Sequence, residues 1–315
     1  MNDNKDAIII GLGYWGKKVL VEYLKLLDSN HLDSLYVFDT DEKLLNFSDN
    51  RIKRILSLNE IPRSVKYGHV CTSNGTHVKV AKKLLEMGIS TLVEKPIAEN
   101  PKEAEELLNI SRKRSTSLRV GMVYRYSKAV ERTKTMLNDS VGTPKIIYGD
   151  WLHNIDIPNI VRVMNERDVV WDIAIHLLDI INYLYEGWPS FEYSRGIKNS
   201  SGLNSTFISV GELLNASVVM RSSFISHFKE RKIEIIGDKG NIVLDILRNT
   251  VTVGNDDAKN IFSYYDDPLM NEIQSFINTD GKEDGRNDAE IGVAEVKIID
   301  NLLKSSHSKL HNVGE

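Results

Sequence analysis

The sequence has a single cysteine, Cys71, among its 315 residues, and this scarcity excludes several kinds of structure. One cysteine forms no intrachain disulfide and builds no thiolate metal cluster, and such sparse usage is typical of a reducing compartment. No apolar run reaches the roughly 18–20 residues of a membrane-spanning helix. The first six residues are polar, unlike the apolar core of a secretory signal. We therefore expect a cytoplasmic protein with no membrane contact.

The chain also lacks an excess of either charge. It has 40 basic and 44 acidic residues, which gives a net charge of −4, and its isoelectric point is near 6.1. Neither value favours a nucleic acid or an anionic membrane surface as a partner. Two short basic runs, at 51–54 and 112–114, have no aromatic residues between their charges, so solvated helix ends are favoured over phosphate sites.

The length and the order of the apolar patterns predict two domains. Over the first ~120 residues short apolar runs alternate with helical patterns, which is typical of βαβ units and a parallel sheet. The predicted strands are Ala7–Gly11, Leu35–Phe38, His69–Thr72, Thr91–Val93 and Leu118–Val123. The predicted helices are Trp15–Leu27, His77–Met87 and Pro101–Arg112, the last with Asn100 as its N-cap.

The pattern changes in the second half, where strands follow one another without intervening helices. This grouping predicts an α+β domain with a mainly antiparallel sheet. The predicted strands are Lys145–Trp151, Phe207–Glu212, Ala216–Ser223, Lys232–Ile236, Asn241–Asp245 and Thr250–Val253. The predicted helices are Lys128–Leu137, Val169–Leu184, Pro268–Ile277 and Asp288–Lys304. We place the boundary near Tyr124, which gives domains at 1–123 and 124–315.

A glycine-rich loop directly follows the first predicted strand and opens the first helix. Gly11, Gly13 and Gly16 form G-x-G-x-x-G: the first allows the tight turn, the second lets backbone approach a pyrophosphate, and the third lets helix and strand pack closely. The helix N-terminus then offers unpaired N–H groups to phosphate. Asp39, at the end of the next strand, is placed to accept the ribose hydroxyls of NAD and would repel the 2′-phosphate of NADP. NADP remains an alternative cofactor, and a strand–helix turn without a ligand is the plainer interpretation.

Charged residues follow the strand at 91–93. Glu94 and Lys95 lie at the carboxyl end of a parallel strand, the edge at which open α/β sheets bind ligands. A lysine there can polarise a substrate oxygen or donate a proton. Pro96 disfavours a helical conformation at Lys95. The alternative is that both charges belong to a solvated strand end.

Four polar residues interrupt the apolar helix predicted at 169–184. Asp168, Asp172, His176 and Asp179 fall on one stripe at helical spacing. Buried carboxylates and imidazoles are costly unless they are paired or used. An imidazole with a pKa near neutrality can accept the hydroxyl proton when a carbinol loses hydride, with Asp172 orienting it. A satisfied core histidine and a metal site are the alternatives, although no second histidine with metal-ligand spacing lies nearby.

Together these motifs resemble the Gfo/Idh/MocA oxidoreductases, the family of glucose–fructose oxidoreductase and inositol dehydrogenase, along essentially the whole chain. The resemblance rests on five motifs, which are Gly11-x-Gly13-x-x-Gly16, Thr72-Ser73-Asn74-x-x-His77, Glu94-Lys95-Pro96, Asp172-x-x-x-His176 and the run Ile233–Gly240. It implies a doubly wound Rossmann domain, then an α+β domain with a large open sheet that commonly forms homodimers or homotetramers. The cofactor implied is NAD(P), and the substrate a sugar or nucleotide-linked sugar.

The resemblance also implies a role for each matched residue. Lys95, His176 and Asp172 would be catalytic. The cofactor would contact the loop and strand-end residues, which are Gly11, Gly13, Tyr14, Trp15, Gly16, Asp39, Thr72, Asn74, His77, Glu94 and Lys95. The substrate would contact Lys95, Tyr124, Arg125, Asp172 and His176. No metal is expected.

The sequence departs from the family before Asp172. Many members have a glycine-rich run where this chain has Asn165–Trp171, so one wall of the pocket differs. We expect a nucleotide-linked sugar, whose diphosphate would need basic groups such as Arg125, Arg162 or Arg167. A dehydrogenase of free inositol or aldose is an alternative, and a non-catalytic NAD-sensing or scaffold protein on the same fold is another.

Overall fold

The structure is a computed structural model that describes residues 5–154, 168–255 and 258–306. Its fourteen described strands are β1 Asp6–Ile10, β2 Ser34–Phe38, β3 Ile52–Arg54, β4 Val65–Val70, β5 Ser90–Glu94, β6 Leu118–Gly121, β7 Pro144–Asn154, β8 Ser190–Lys198, β9 Asn204–Leu213, β10 Ala216–Ser226, β11 Glu230–Gly237, β12 Asn241–Asp245, β13 Thr250–Gly254 and β14 Lys259–Ser263. Its described α-helices are α1 Tyr14–Asp28, α2 Asn74–Glu86, α3 Pro101–Arg114, α4 Lys128–Met136, α5 Ile175–Tyr185, α6 Pro268–Asn278 and α7 Ala289–Ser306.

The chain forms two compact units. One comprises the described residues of Met1–Val123 together with Asp267–Lys297, and the other those of Tyr124–Asp266 and Ile298–Glu315. Helix α7 contributes its part up to Lys297 to the first unit and its remainder to the second. Among the described residues, no helix combines the length and the apolar character needed to cross a membrane.

The first unit contains a six-stranded, fully parallel sheet. Its strand order is β3-β2-β1-β4-β5-β6. This is the order of a doubly wound sheet, in which successive strands are added to one side up to β3 and to the other side from β4 onward. Every residue of β1 is buried, as a strand covered on both faces requires. The predicted Rossmann domain is thus confirmed, and the short β3 is an addition to the predicted strands.

Capping explains why α3 begins where it does. The side chain of Asn100 accepts a hydrogen bond of 3.0 Å from the backbone N–H of Glu103, and Pro101 occupies the first turn. The proline has no N–H to leave unsatisfied there, and the asparagine satisfies one of the free donors. This confirms the helix start predicted from the sequence.

A segment from the end of the chain packs on β6 of the first unit, whereas the sequence places all of 124–315 in one domain. Arg119 of β6 is fully buried and donates to Asn287 at 2.6 Å and to Asp284 at 3.0 Å. The backbone N–H of Met122 donates to Glu272 of α6 at 2.7 Å. A buried arginine needs these acceptors, so the return of Asp267–Lys297 to the first unit completes its core.

The second unit contains an eight-stranded, mainly antiparallel sheet. Its order is β14-β13-β12-β11-β7-β10-β9-β8, and only the pair β7–β10 is parallel. One face carries the buried residues Ile147, Val218, Phe207 and Ile233 and packs on α4 and α5. The predicted α+β sheet is confirmed. The edge strands β8 and β14 were missing from the prediction.

Candidate functional site

The glycine-rich loop connects β1 to α1 and turns beside the end of β4. Gly11 has φ +93°, and a Cβ there would lie 2.7 Å from the backbone of Cys71 and Thr72, so both the turn and the close approach require glycine. A Cβ on Gly16 would overlap the carbonyl oxygen of Gly11. Gly13 is exposed and faces open space. Two glycines therefore serve the fold, and the third leaves the backbone accessible.

The N-terminus of α1 carries no side-chain cap and no acidic residue in its first turn. Its free N–H groups and the positive end of the helix dipole therefore remain available to an anion. Next to them the Tyr14 side chain is 80% exposed, and the Lys18 ammonium lies 4.5 Å from the centre of its ring. These features suit phosphate groups.

Asp39 follows β2 and contacts the glycine-rich loop directly. Its Oδ2 accepts a 2.6 Å hydrogen bond from the N–H of Leu12, and its Oδ1 accepts a 2.8 Å bond from the N–H of Asp41. The carboxylate is only partly buried. It thus holds the loop in place and presents a negative charge beside it.

The segment after β4 contains Thr72, Asn74 and His77. Asn74 is partly buried in the first turn of α2. His77 is 1% exposed; its Nδ1 lies 2.8 Å from the carbonyl oxygen of Pro96 and its Nε2 lies 3.0 Å from that of Thr72. Burial lowers the pKa of His77, and the two carbonyls partly oppose this shift. A neutral imidazole has a single N–H, so the ring donates to only one of these carbonyls. His77 thus lies between two loops, and its contact with the cofactor stays a prediction.

Lys95 is partly buried and lies directly after β5. The residue before it, Glu94, contacts a buried histidine. Glu94 Oε1 lies 3.1 Å from Nε2 of the fully buried His69. Ligand atoms of His69, Cys71 and Glu94 lie within 4.8 Å of one another. Burial and the neighbouring carboxylates raise the pKa of the Cys71 thiol well above its ordinary value.

Glu272 of α6 is a second buried carboxyl group near this edge. Burial, and then the charge of Glu94, raise its pKa well above the ordinary value, although donors from Met122 and Asn287 oppose the shift. Its other oxygen, Oε2, is buried without a hydrogen-bond partner among the described residues. Its protonated form is therefore favoured relative to that of a solvated glutamate.

In the second unit His176 lies in the first turn of α5, behind a π-helical segment at Val170–Ala174 that contains Asp172. Such π-helical insertions occur often at functional sites. Helix α5 crosses β7 closely, since a Cβ on Gly149 would lie 3.0 Å from a methyl carbon of Leu177. His176 and Asp172 are both partly buried.

Two aromatic rings contact the imidazole of His176. Its imidazole stacks on Trp151 with centroids 4.8 Å apart and an interplanar angle of 27°, and Tyr124 meets it edge-on at 5.0 Å. The guanidinium of Arg231 lies 4.9 Å from the Trp151 ring and donates a 2.8 Å hydrogen bond to the Tyr124 hydroxyl. Burial raises the pKa of Tyr124, so this phenol stays neutral. Trp151 and Arg231 were missing from the predicted site.

Three other predicted polar residues have structural partners. Arg125 is 2% exposed and donates to Asp179 at 2.6 Å and to Asn182 at 2.7 Å, so it has structural partners, and its contact with substrate stays a prediction. Asp168 accepts from the N–H of Val170 and from the side chain of Asn204. The predicted polar stripe is therefore divided: its two ends stabilise the fold, and Asp172 and His176 remain. Arg162 and the first three residues of Asn165–Trp171, including Arg167, lie outside the described residues.

The residues of the first unit fit a dinucleotide. Beyond the open Gly13 and the uncapped helix, two buried polar atoms at this sheet edge, Trp15 Nε1 and Thr72 Oγ1, have no hydrogen-bond partner among the described residues. A buried donor without a partner is costly unless a ligand satisfies it. The first unit thus has the construction of a nucleotide-binding Rossmann domain.

Comparison with known proteins agrees with this class. Residues 5–122 match the family described as "Oxidoreductase family, NAD-binding Rossmann fold", the Gfo/Idh/MocA family. This match spans the first unit's sheet, and it confirms over that part of the chain the resemblance seen in the motifs.

Individual relatives are distant. An uncharacterised oxidoreductase of Bacillus subtilis, YrbE, is 24% identical over 58% of this chain, and the alignment spans only 55% of that relative's length. The UDP-N-acetylglucosamine 3-dehydrogenase of Acidithiobacillus ferrooxidans is 21% identical over 86% of this chain and 87% of its own length.

Solved structures share the fold over the whole chain. The structure of that Acidithiobacillus enzyme matches with a TM-score of 0.83 and 18% identity over 96% of this chain and 97% of that one. An oxidoreductase from Agrobacterium radiobacter, solved with NAD⁺, L-tartaric acid and magnesium, matches with a TM-score of 0.82 and 14% identity over 97% of both chains.

Proposed function

We propose that this protein is a dehydrogenase that transfers a hydride between NAD and a carbinol carbon of a sugar, with a nucleotide-linked sugar as the substrate. The observation that carries the proposal is the environment of His176. A partly buried imidazole stacked on the buried Trp151 and bordered by Tyr124 is held in one orientation, as a general base requires.

The proposed roles follow from the chemistry of carbinol oxidation. NAD, when bound, accepts the hydride. His176 accepts the hydroxyl proton in the oxidative direction and returns it in the reductive direction. Lys95 holds the reacting oxygen and stabilises negative charge on it. Asp172 binds a neighbouring hydroxyl group or orients the imidazole.

NAD is proposed over NADP because of Asp39. Its carboxylate stands beside the glycine-rich loop, where it would repel a 2′-phosphate and accept bonds from ribose hydroxyls. Thr72, Asn74 and Glu94 would line the nicotinamide side, with His77 holding the Thr72 and Lys95 segments.

A homo-oligomer is proposed from the outer face of the second unit's sheet. Five apolar side chains on that face are between 36% and 55% exposed, namely Ile146, Tyr193, Ile197, Ile208 and Val210. The registers of β7, β8, β9 and β10 put all five on the face opposite the helices. A contiguous exposed apolar patch of this kind marks an interaction surface.

The experiment is a turnover assay with defined sugars. Purified protein and NAD are mixed with inositol, aldoses, and UDP- or dTDP-linked sugars, and the reduced nicotinamide is followed by its absorbance. We expect a rise with at least one sugar and its loss in His176→Ala. An absence of turnover with every sugar, while NAD still binds, would favour the non-catalytic sensor instead.

A further inference from the structure

Arg231 lies on the helix-facing side of the second unit's sheet, where most residues are apolar. In the register of β7 and β11 it stands opposite Trp151, and its neighbours on the same face of β11, Ile233 and Ile235, are fully buried. Arg231 itself is partly buried. A cation at such a position loses hydration and needs compensation.

The compensation found in the structure is incomplete. Arg231 donates to the Tyr124 hydroxyl and lies over Trp151, but its Nε is buried without a hydrogen-bond partner, and no carboxylate of the described residues forms an ion pair with it. Carboxylates on the adjoining strands have other cations: Asp150 pairs with Arg221 at 2.8 Å, and Glu230 with Lys232 at 3.5 Å.

The guanidinium is close to the proposed base. The imidazole of His176 and the guanidinium of Arg231 both lie against Trp151, at 4.8 and 4.9 Å from its ring. Their separation is therefore at most the sum of these distances, about 10 Å. This upper limit is within the length of a sugar ring with one substituent.

We propose that Arg231 binds an oxyanion of the substrate, so that the protein acts on an acidic sugar derivative. The unsatisfied Nε and the planar guanidinium match the two oxygens of a carboxylate or phosphate group. This inference rests on the proposed function, because it assigns the ligand to the site of His176. The oxyanion is a sugar-acid carboxylate, a phosphate monoester or the diphosphate of a nucleotide-linked sugar.

The test is direct binding, which does not depend on turnover. The full-length protein with NAD is titrated calorimetrically with glucose, glucuronate, glucose 6-phosphate and UDP-glucose, so that each acid represents one source of the oxyanion. We expect at least one acid to bind about 10- to 100-fold more tightly than glucose, as a charge-assisted hydrogen bond pair provides. In Arg231→Gln this advantage disappears.

Two further variants make the result decisive. Arg231→Lys keeps the charge but loses the planar pair of donors, and we expect it to recover only part of the advantage. Arg132→Gln removes an exposed arginine from α4 of the same unit and serves as the control for a change of net charge, with acid binding unchanged.

The outcomes separate this inference from the proposed function. If no acid binds better than glucose, or if Arg231→Gln and Arg231→Lys both bind the acids as wild type does, the oxyanion role is overturned even if sugars are oxidised. If acids bind through Arg231 but no sugar reduces NAD, the oxyanion site stands and the dehydrogenase proposal fails.

Discussion

His77 offers the sharpest perturbation of the first unit, because one buried ring holds two loops. Its two nitrogens lie 2.8 and 3.0 Å from the carbonyl oxygens of Pro96 and Thr72. Loss of one hydrogen bond lowers stability by about 1 kcal/mol net, and a buried carbonyl left without its donor costs about 1–3 kcal/mol more. We therefore expect His77→Ala to lower the free energy of unfolding by about 2–4 kcal/mol in urea denaturation.

Two conservative variants separate the loops in kinetics. The amide nitrogen of asparagine falls near the position of Nδ1, and that of glutamine near Nε2. His77→Asn therefore places a donor at Pro96, next to Lys95, and loses the contact at Thr72, so it should mainly raise KM for NAD. His77→Gln places a donor at Thr72 and loses the contact at Pro96, so it should mainly lower kcat. Each effect is expected at about 3- to 10-fold, in line with one hydrogen bond.

A matched control is His31→Ala, since His31 is only partly buried and its ring contacts one serine hydroxyl. It should change stability by less than about 0.5 kcal/mol, as surface substitutions do. If His77→Asn and His77→Gln change KM and kcat alike, the ring does not position the two loops separately, and the reasoning is refuted.

Three further predictions concern the first unit. Gly13→Ala, whose Cβ meets open space, should keep the wild-type melting temperature but bind NAD at least about 10-fold more weakly in calorimetry. Gly16→Ala should unfold at a lower temperature. Equal melting temperatures of the two variants would contradict this. Asp39→Ala should weaken NAD binding and reduce the discrimination against NADP, and a wild-type preference for NADP would contradict it. Burial raises the pKa of Glu272. The wild type should therefore lose stability as the pH rises from the ordinary pKa near 4.5 toward the raised pKa. Glu272→Gln should remove this loss, and an unchanged pH profile would count against a raised pKa.

The parallel sheet could be predicted because its signals are local. Each strand of the first unit is an apolar run bounded by turn residues, and the glycine-rich loop fixes the first crossover. The short β3 and the exposed edge strand β14 have no apolar face to reveal them, so periodicity missed both.

The return of Asp267–Lys297 to the first unit could not be predicted from local pattern. It depends on Arg119, a charge inside an otherwise apolar strand, whose partners Asp284 and Asn287 are more than 160 residues away. Long-range pairing of this kind leaves no periodic signal. The buried arginine alone indicated that a distant partner was needed.

At the candidate site the sequence indicated Lys95 and His176 but not which polar residues pair with one another. Arg125 was predicted to contact substrate, and in the structure it pairs with Asp179 on the apolar helix. Arg231 was missed, yet the alternation that buries Ile233 and Ile235 places it on the same face of the strand. That alternation is the signal that could have found it.

The proposed function requires both Lys95 and His176 for hydride transfer to NAD. The most direct measurement is kcat for Lys95→Ala, His176→Ala and the double variant, with the sugar that the wild type oxidises. In each single variant kcat should fall about 10²-fold. The double variant should be little slower than the slower single variant, because the effects of residues that act as a unit do not add. A double variant slower by about 10⁴-fold, or single variants with wild-type rates, would contradict the account.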